Sequence, residues 1–187
     1  MEEIAIRPAS SWPDVAAVFG PRGAYGGCWC MWFRTTDAQF RQIAGEQARE
    51  RLRGLVESAG PAPGLLAYLD GTPVGWCAVA PREDYVRIGR SPVVKPVDPA
   101  EEGVWSVPCF FVTPAGRGRG VPAALLRAAI GFARSHGARA LEGYPRDTGR
   151  RVQAAELYYG WRSLFEGAGF REIARRSPTR PIMRLDL

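Results

Sequence analysis

The sequence predicts an α/β (α+β) domain of about seven strands and about four helices, spanning residues 1–187 as one unit. Three observations support this. Seven short apolar runs of strand length are interspersed with four stretches of helical character along the 187 residues. Asp70-Gly71 separates two of those runs and is a strong hairpin signal. Between Val104 and His136 an apolar strand, a Gly/Arg-rich turn and a helix follow one another without interruption. A chain of this length, 46% hydrophobic, is enough for one sizeable core.

Composition narrows the class further. No run approaches the roughly 20 apolar residues of a membrane span. Met1-Glu2-Glu3 is acidic and lacks the apolar segment of a signal peptide, so the expected location is cytoplasmic. Cys28, Cys30, Cys77 and Cys109 are then expected as reduced thiols. The net charge is +6, and Lys95 is the sole lysine. A basic balance raises nucleic acid as a partner. The arginines are scattered, however, with no basic run and no nucleic-acid motif, so none is expected.

In chain order, Glu3–Pro8 alternates around Ile4 and Ile6 and reads as a first strand. Ser11-Trp12-Pro13-Asp14 is a helix start, with Val15–Phe19 as a short helix and Gly20–Gly27 as a loop. Tyr25 to Arg34 holds Cys28-Trp29-Cys30-Met31-Trp32-Phe33. Two cysteines one residue apart suggest metal at first sight. Structural zinc wants four ligands in spaced pairs and the single histidine, His136, is remote, so no metal is expected. The aromatic residues fit either a buried plug or the wall of a substrate pocket. Asp37–Ser58 reads as one amphipathic helix, with Phe40, Ile43, Leu52, Leu55 and Val56 near one face and Asp37 as its cap. Leu65–Leu69 and Val74–Ala80 are the hairpin strands.

Pro81–Glu102 is a long polar excursion, suited to a functional loop or to a contact in a homodimer. Val104–Val112 is the central strand, and Pro108 inside it cannot donate to a sheet ladder. Ala123–Ala133 is the next helix, ending near His136-Gly137, where His136 is a surface residue. Arg139–Tyr144 is a strand stopped by Pro145, and Asp147–Val152 is a loop. Ala154–Gly167 is helical with an interruption at Gly160. Gly169-Phe170 opens a strand to about Ala174, and Pro181–Leu187 is the last.

The turn in the central unit reads Arg117-Gly118-Arg119-Gly120-Val121-Pro122. Glycines allow a sharp turn and close approach of a ligand. The following helix N-terminus and two arginines favour an anion, so the physical reading is a cradle for a phosphate or pyrophosphate. A P-loop is rejected because no Gly-Lys-Ser/Thr ending is present. Gly118-x-Gly120-x-x-Ala123, with Glu142 about 20 residues on, matches a dinucleotide-binding turn. Too little chain follows it, though, to complete a doubly wound sheet.

The stretch resembles the acetyl-CoA-binding motif of the GNAT superfamily of N-acetyltransferases, an apolar strand ending in Val and then Arg/Gln-x-x-Gly-x-Gly/Ala at a helix start. Pro122 stands where the family usually has Gly or Ala; it suits a first helical turn but has no N–H to donate. Leu164-Phe165-Glu166-Gly167-Ala168-Gly169-Phe170 resembles a second landmark, Tyr-Glu-x-x-Gly-Phe. The two occur in family order, and with the element order the resemblance covers nearly the whole chain. It implies the GNAT fold, a mixed, mostly antiparallel central sheet, with acetyl-CoA as cosubstrate. It also implies that the central strand splays from its neighbour to admit the pantetheine arm. Phe110, Phe111 and Val112 would then face that arm, and Arg117 to Pro122 would hold the pyrophosphate. Tyr25, Trp29 and Trp32 are the candidate acceptor contacts.

Acetyl transfer to an amine requires loss of an amine proton, donors for the developing oxyanion, and departure of a thiolate. Family members often use a Tyr as acid where this chain has Phe165, which has no proton to give; Tyr158 and Tyr159 are nearby substitutes. Some members carry a Glu at the position of Ser106, which can hold a water but is no strong base. Glu142 and Glu102 are the carboxylates at strand ends that could act through water. The expected activity is acetyl transfer to a primary amine of a small molecule in a ternary complex. A protein lysine or N-terminal acetyltransferase and a non-catalytic acyl-CoA-binding sensor are the alternatives.

Overall fold

The computed structural model describes residues 3–147 and 158–187. Strand β1 (Ile4–Pro8) leads to helix α1 (Trp12–Phe19), whose Pro13 sits in the first turn. Irregular chain then reaches α2 (Asp37–Ile43) and α3 (Glu46–Val56). β2 (Gly64–Leu69) and β3 (Thr72–Pro81) form a hairpin, followed by the short α4 (Val86–Arg90). After β4 (Val104–Val112) come α5 (Val121–Ser135), β5 (Ala140–Gly143), α6 (Arg162–Glu166), β6 (Arg171–Arg175) and β7 (Pro181–Asp186). The seven strands form one sheet in the order β1-β2-β3-β4-β5-β7-β6. β4 and β5 pair parallel, joined by the crossover through α5, and every other neighbouring pair is antiparallel.

The hairpin shows how directly local chemistry sets geometry. Asp70 (φ 47°) and Gly71 (φ 78°) both adopt the left-handed conformation, and Leu69 pairs with Thr72. This is the two-residue turn whose twist matches that of the flanking strands. Thr72 and Pro73 therefore belong to the strand and not to the connection.

Each sheet face has its own core. Leu125, Leu126 and Ala129 of α5 pack on Cys77, Val79, Trp105 and Val107. On the opposite face Val15, Val18 and Phe19 of α1 and Leu52 and Val56 of α3 pack on Leu66, Trp76 and Ala78. Burying a Leu, Val or Phe contributes about 1.5–3 kcal/mol relative to exposure, so these two layers hold the sheet in place.

Three elements differ from the sequence expectation. The helix expected over Asp37–Ser58 is two helices, broken at Ala44-Gly45. Gly45 has φ 90° and its amide donates to the Gly27 carbonyl at 3.0 Å, so a positive-φ glycine and a tertiary contact mark the break. Its cap is Thr36, one residue before Asp37, in a reciprocal capping box with Gln39. The 81–102 excursion is not all loop, since it holds a helical turn at Arg82–Asp84 and then α4. The helix expected over 154–167 is short within the described residues, starting only after Gly160 (φ 74°) and Trp161. Residues 154–157 of that stretch, with 148–152 of the expected loop, lie outside the described residues.

Gly143, at the end of β5, is fixed by packing. A Cβ there would lie 2.0 Å from Cε1 of Phe165, whose ring is fully buried. Gly143→Ala is expected to lower stability by about 1–3 kcal/mol, read as a shifted urea midpoint. An unchanged midpoint would show that the Phe165 ring can yield.

Candidate active site

The site begins where two strands part. β4 and β5 pair from Val104–Ala140 to Val107–Gly143. β5 then ends, while β4 continues to Val112 against β3 alone. Pro108, which has no amide to donate, is the first residue beyond the parallel pairing. On its other edge, Ala78 pairs with Cys109 and Ala80 with Ser106, so β4 carries one extra residue there. This bulge exchanges the faces: Trp105 and Val107, then Phe110, belong to the α5 core, while Cys109 and Phe111 face the other way.

A cavity of about 220 Å³ opens at this place. Cys109, Phe110 and Phe111 of β4 form its floor, with Phe19, Tyr25, Cys28, Cys30, Trp32, Phe33, Phe40 and Tyr158 around it. The wall segment has an unusual backbone. Ala24 (φ 64°), Trp29 (φ 41°) and Cys30 (φ 56°) are non-glycine residues in left-handed conformations, strain that persists only where surroundings dictate it. Gly23 is required there, because a Cβ would meet Trp29 Nε1 at 2.2 Å. Cys30 Sγ accepts from Trp76 Nε1 at 3.1 Å. Its hydrogen bond with Cys109 lowers the Cys30 thiol pKa, burial opposes that, and the same bond raises Cys109.

The three aromatic candidates separate. Tyr25 is 66% exposed and stacks on Tyr158 at 6.2 Å, at the cavity mouth. Trp32 lines the cavity and meets Phe40 edge-on at 5.0 Å. Trp29 does not line it; at 3% exposure it stacks on Phe19 at 5.4 Å in the core below.

The glycine-rich turn has the shape of a cradle. Pro114–Gly116 is a helical turn and Arg117 is exposed beyond it. Gly118 (φ 73°) and Gly120 (φ 78°) are left-handed, and a Cβ on either would meet nothing within 4 Å. Open space therefore lies above a backbone that leads into α5, whose first-turn amides have no helical acceptor. Val121 anchors the turn through a fully buried side chain, and Pro122 occupies the first helical turn. Arg119 is exposed alongside.

Two of the three polar candidates meet in a buried network. Ser106 Oγ and the Tyr144 hydroxyl are 2.9 Å apart, and Tyr144 donates to Glu142 Oε2 at 3.2 Å. Glu142, 1% exposed, also faces Arg82 Nη1 at 3.4 Å and Arg184 Nη1 at 3.5 Å. Arg82 is held in turn by the carbonyls of Asp98 and Glu101. Burial first, then the Glu142 charge, raise the Tyr144 phenol well above its ordinary pKa, so it stays protonated. Glu102 is elsewhere: it is exposed and precedes the first residue of β4, while its neighbour Glu101 pairs with Arg184 at 2.6 Å. Tyr144 and Arg82 carried no signal in the sequence, because their partners come from distant segments. Phe165 is fully buried against Phe110 and Phe170. Tyr158, on the cavity wall, has a phenol pKa raised by burial and by its hydrogen bond with Tyr159.

The acetyltransferase (GNAT) family model matches residues 29–159. The chain belongs to the GNAT acetyltransferase family. It is therefore an acyltransferase, and the cleft between β4 and β5 lies within the matched region. Solved structures agree in fold. A GCN5-related N-acetyltransferase from Kribbella flavida is 22% identical, with 98% of each chain covered and a TM-score of 0.56. The PaiA N-acetyltransferase from Thermoplasma acidophilum, solved with coenzyme A, is 14% identical over 99% of each chain, with a TM-score of 0.57. A GNAT family acetyltransferase from Brucella melitensis in complex with acetyl-CoA is 19% identical, covering 100% of this chain and 90% of that one, at a TM-score of 0.50. No curated protein matches the sequence significantly. No helix among the described residues is long and apolar enough to cross a membrane.

The Glu142–Arg82 pair gives this GNAT domain a sensitive point. Glu142→Gln keeps the shape but removes the buried counter-charge of Arg82. A loss of about 3–5 kcal/mol in chemical denaturation is expected. An unchanged midpoint would mean that the Asp98 and Glu101 carbonyls alone are enough to hold Arg82.

Proposed function

We propose that this GNAT domain transfers the acetyl group of acetyl-CoA to a primary amine of a small molecule, by direct attack in a ternary complex. The observation that carries the reading is the aromatic cavity at the point where β4 leaves β5. A pocket with aromatic walls on several sides suits a compact acceptor; a protein chain would need an open groove along the sheet.

Acetyl-CoA supplies an acetyl thioester, an electrophilic carbonyl with a thiolate as leaving group. Arg117, Arg119 and the backbone of Gly118, Gly120 and Val121 are the proposed pyrophosphate holders, with Pro122 fixing the helix start without donating. The open space above both glycines is consistent with that use. The edge of β4 at Phe110, Phe111 and Val112, unpaired by β5, offers backbone groups to the pantetheine arm and donors to the carbonyl oxygen.

The acceptor amine enters past Tyr25 and Trp32. Its proton is proposed to leave through water to Ser106 and then Tyr144, each hydroxyl accepting one proton and releasing another, and to end on the Glu142 carboxylate. The existing bonds point that way: Ser106 lies 2.9 Å from Tyr144, and Tyr144 donates to Glu142. Glu142 serves as a positioning residue and final acceptor, not as a base in contact with the amine, because Tyr144 and two arginines surround it. Glu102, exposed before β4, has no part in this path. Tyr158 is the wall phenol able to donate to the departing sulfur, in the absence of a hydroxyl at Phe165.

Calorimetric titration with acetyl-CoA is the direct test. Tight binding is expected, weakened at least tenfold, or about 1.4 kcal/mol, by Arg117→Ala. Thiol release across a panel of small amines should follow. Absence of CoA binding would overturn the reading, and thiol release only with peptide acceptors would move it to a protein acetyltransferase.

A further inference from the structure

The apolar cavity shares two walls, Trp32 and Phe33, with a second and more open cleft of about 690 Å³. This cleft is basic. Arg41 of α2, Arg87 and Arg90 of α4, Arg146 after β5 and Arg180 before β7 line it, from four separate places in the chain. Among the described residues lining it, Asp37 is the one carboxylate, and it is already engaged by Arg87.

The guanidinium groups are held in place by aromatic rings. Arg87 lies 3.6 Å from the centroid of Trp32, and Arg180 lies 3.9 Å from that of Tyr159, which Arg146 also approaches at 5.7 Å. Such stacking fixes the plane of the fork, and since Arg87 Nε donates to the Trp32 carbonyl at 2.6 Å and Arg180 Nη2 to the Tyr144 carbonyl at 3.1 Å, part of each fork is left for a ligand. Arg87 Nη2, Arg146 Nε and Arg180 Nε are buried nitrogens with no hydrogen-bond partner among the described residues. A buried donor without a partner costs about 1–3 kcal/mol, more when charged, and like charges this close repel. Burial first, and the neighbouring Arg146 charge after it, lower the Arg180 pKa. An oxyanion would relieve these costs together.

We infer that this cleft is an oxyanion subsite and that the acceptor amine carries a carboxylate or phosphorus oxyacid group. The inference rests on the acceptor reading given above: the amine occupies the aromatic cavity while the anionic end lies past Trp32 and Phe33 among the arginines. Tyr158 on the cavity side and Tyr159 on the cleft side divide the two halves. Arg is suited to this role because its fork matches carboxylate and phosphate geometry with paired hydrogen bonds.

The test uses binding as well as turnover. In saturating coenzyme A, the full-length protein is titrated with 2-aminoethylphosphonate, glycine and ethanolamine. The same three amines are then assayed for thiol release from acetyl-CoA. The two anionic amines should bind at least tenfold more tightly than ethanolamine, and be acetylated with at least a tenfold higher kcat/KM. Arg146→Gln and Arg90→Gln should each remove most of that preference, and Arg180→Lys should weaken it while keeping the charge. Arg90 is exposed, so its variant is expected to fold normally. A preference for the phosphonate over glycine would identify a phosphorus oxyacid acceptor, and the reverse a carboxylate. Equal binding of all three, or a preference untouched by the arginine variants, would overturn the subsite and leave the acetyltransferase reading standing. Arginine-dependent anion binding without thiol release from any amine would support the subsite and count against the transfer reaction.

Discussion

The structure depends on the partial parallel pairing of β4 with β5. Four register pairs hold the strands together from Val104 to Val107, and beyond them the sheet opens. Two prolines act at the opening. Pro108 removes a donor from β4, and Pro145 follows the end of β5. A bulge on the other edge of β4 then reverses which side chains face which core. Without that reversal Phe110 would leave the α5 core and Cys109 would leave the cavity floor. One extra residue in one strand therefore sets which side chains line the cavity, while the end of β5 leaves the edge beside it unpaired.

Much else supports that opening from behind. Gly143 brings β5 against the Phe165 ring, so the second landmark of the family serves here as packing. Glu142, on the same short strand, ties β5 to Arg82 and to Arg184 of β7. The strand that must stop early is thereby fastened by an aromatic contact at Gly143 and a charged network at Glu142.

What the sequence revealed and what it concealed have separate physical causes. Asp70-Gly71, the glycine-rich turn before α5 and the seven strands are set by local conformational preference, and local preference is written in neighbouring letters. The break at Gly45 left a trace that a one-helix reading passes over: at about 100° per residue Leu52 and Val56 fall on the face opposite Phe40 and Ile43. Its cause, an amide donated to Gly27, lies 18 residues away (45 minus 27) in sequence. Trp29 and Trp32 read alike as exposed or buried aromatics, and only the left-handed turn at Trp29 and Cys30 sends one into the core and the other to the cavity. The five arginines of the cleft looked scattered for the same reason. They come from four segments that the fold alone brings together.

The stacked cations around the cleft have a chemical consequence of their own. A guanidinium stays protonated at any physiological pH and is no nucleophile, whereas a lysine amine beside an activated thioester would compete with the acceptor. Every cation lining the cleft is an arginine, and Lys95, the sole lysine, is exposed in the chain after α4. At the acceptor site proposed above, this charge would not consume the acyl donor, and the chain offers one lysine side chain as an amine to modify.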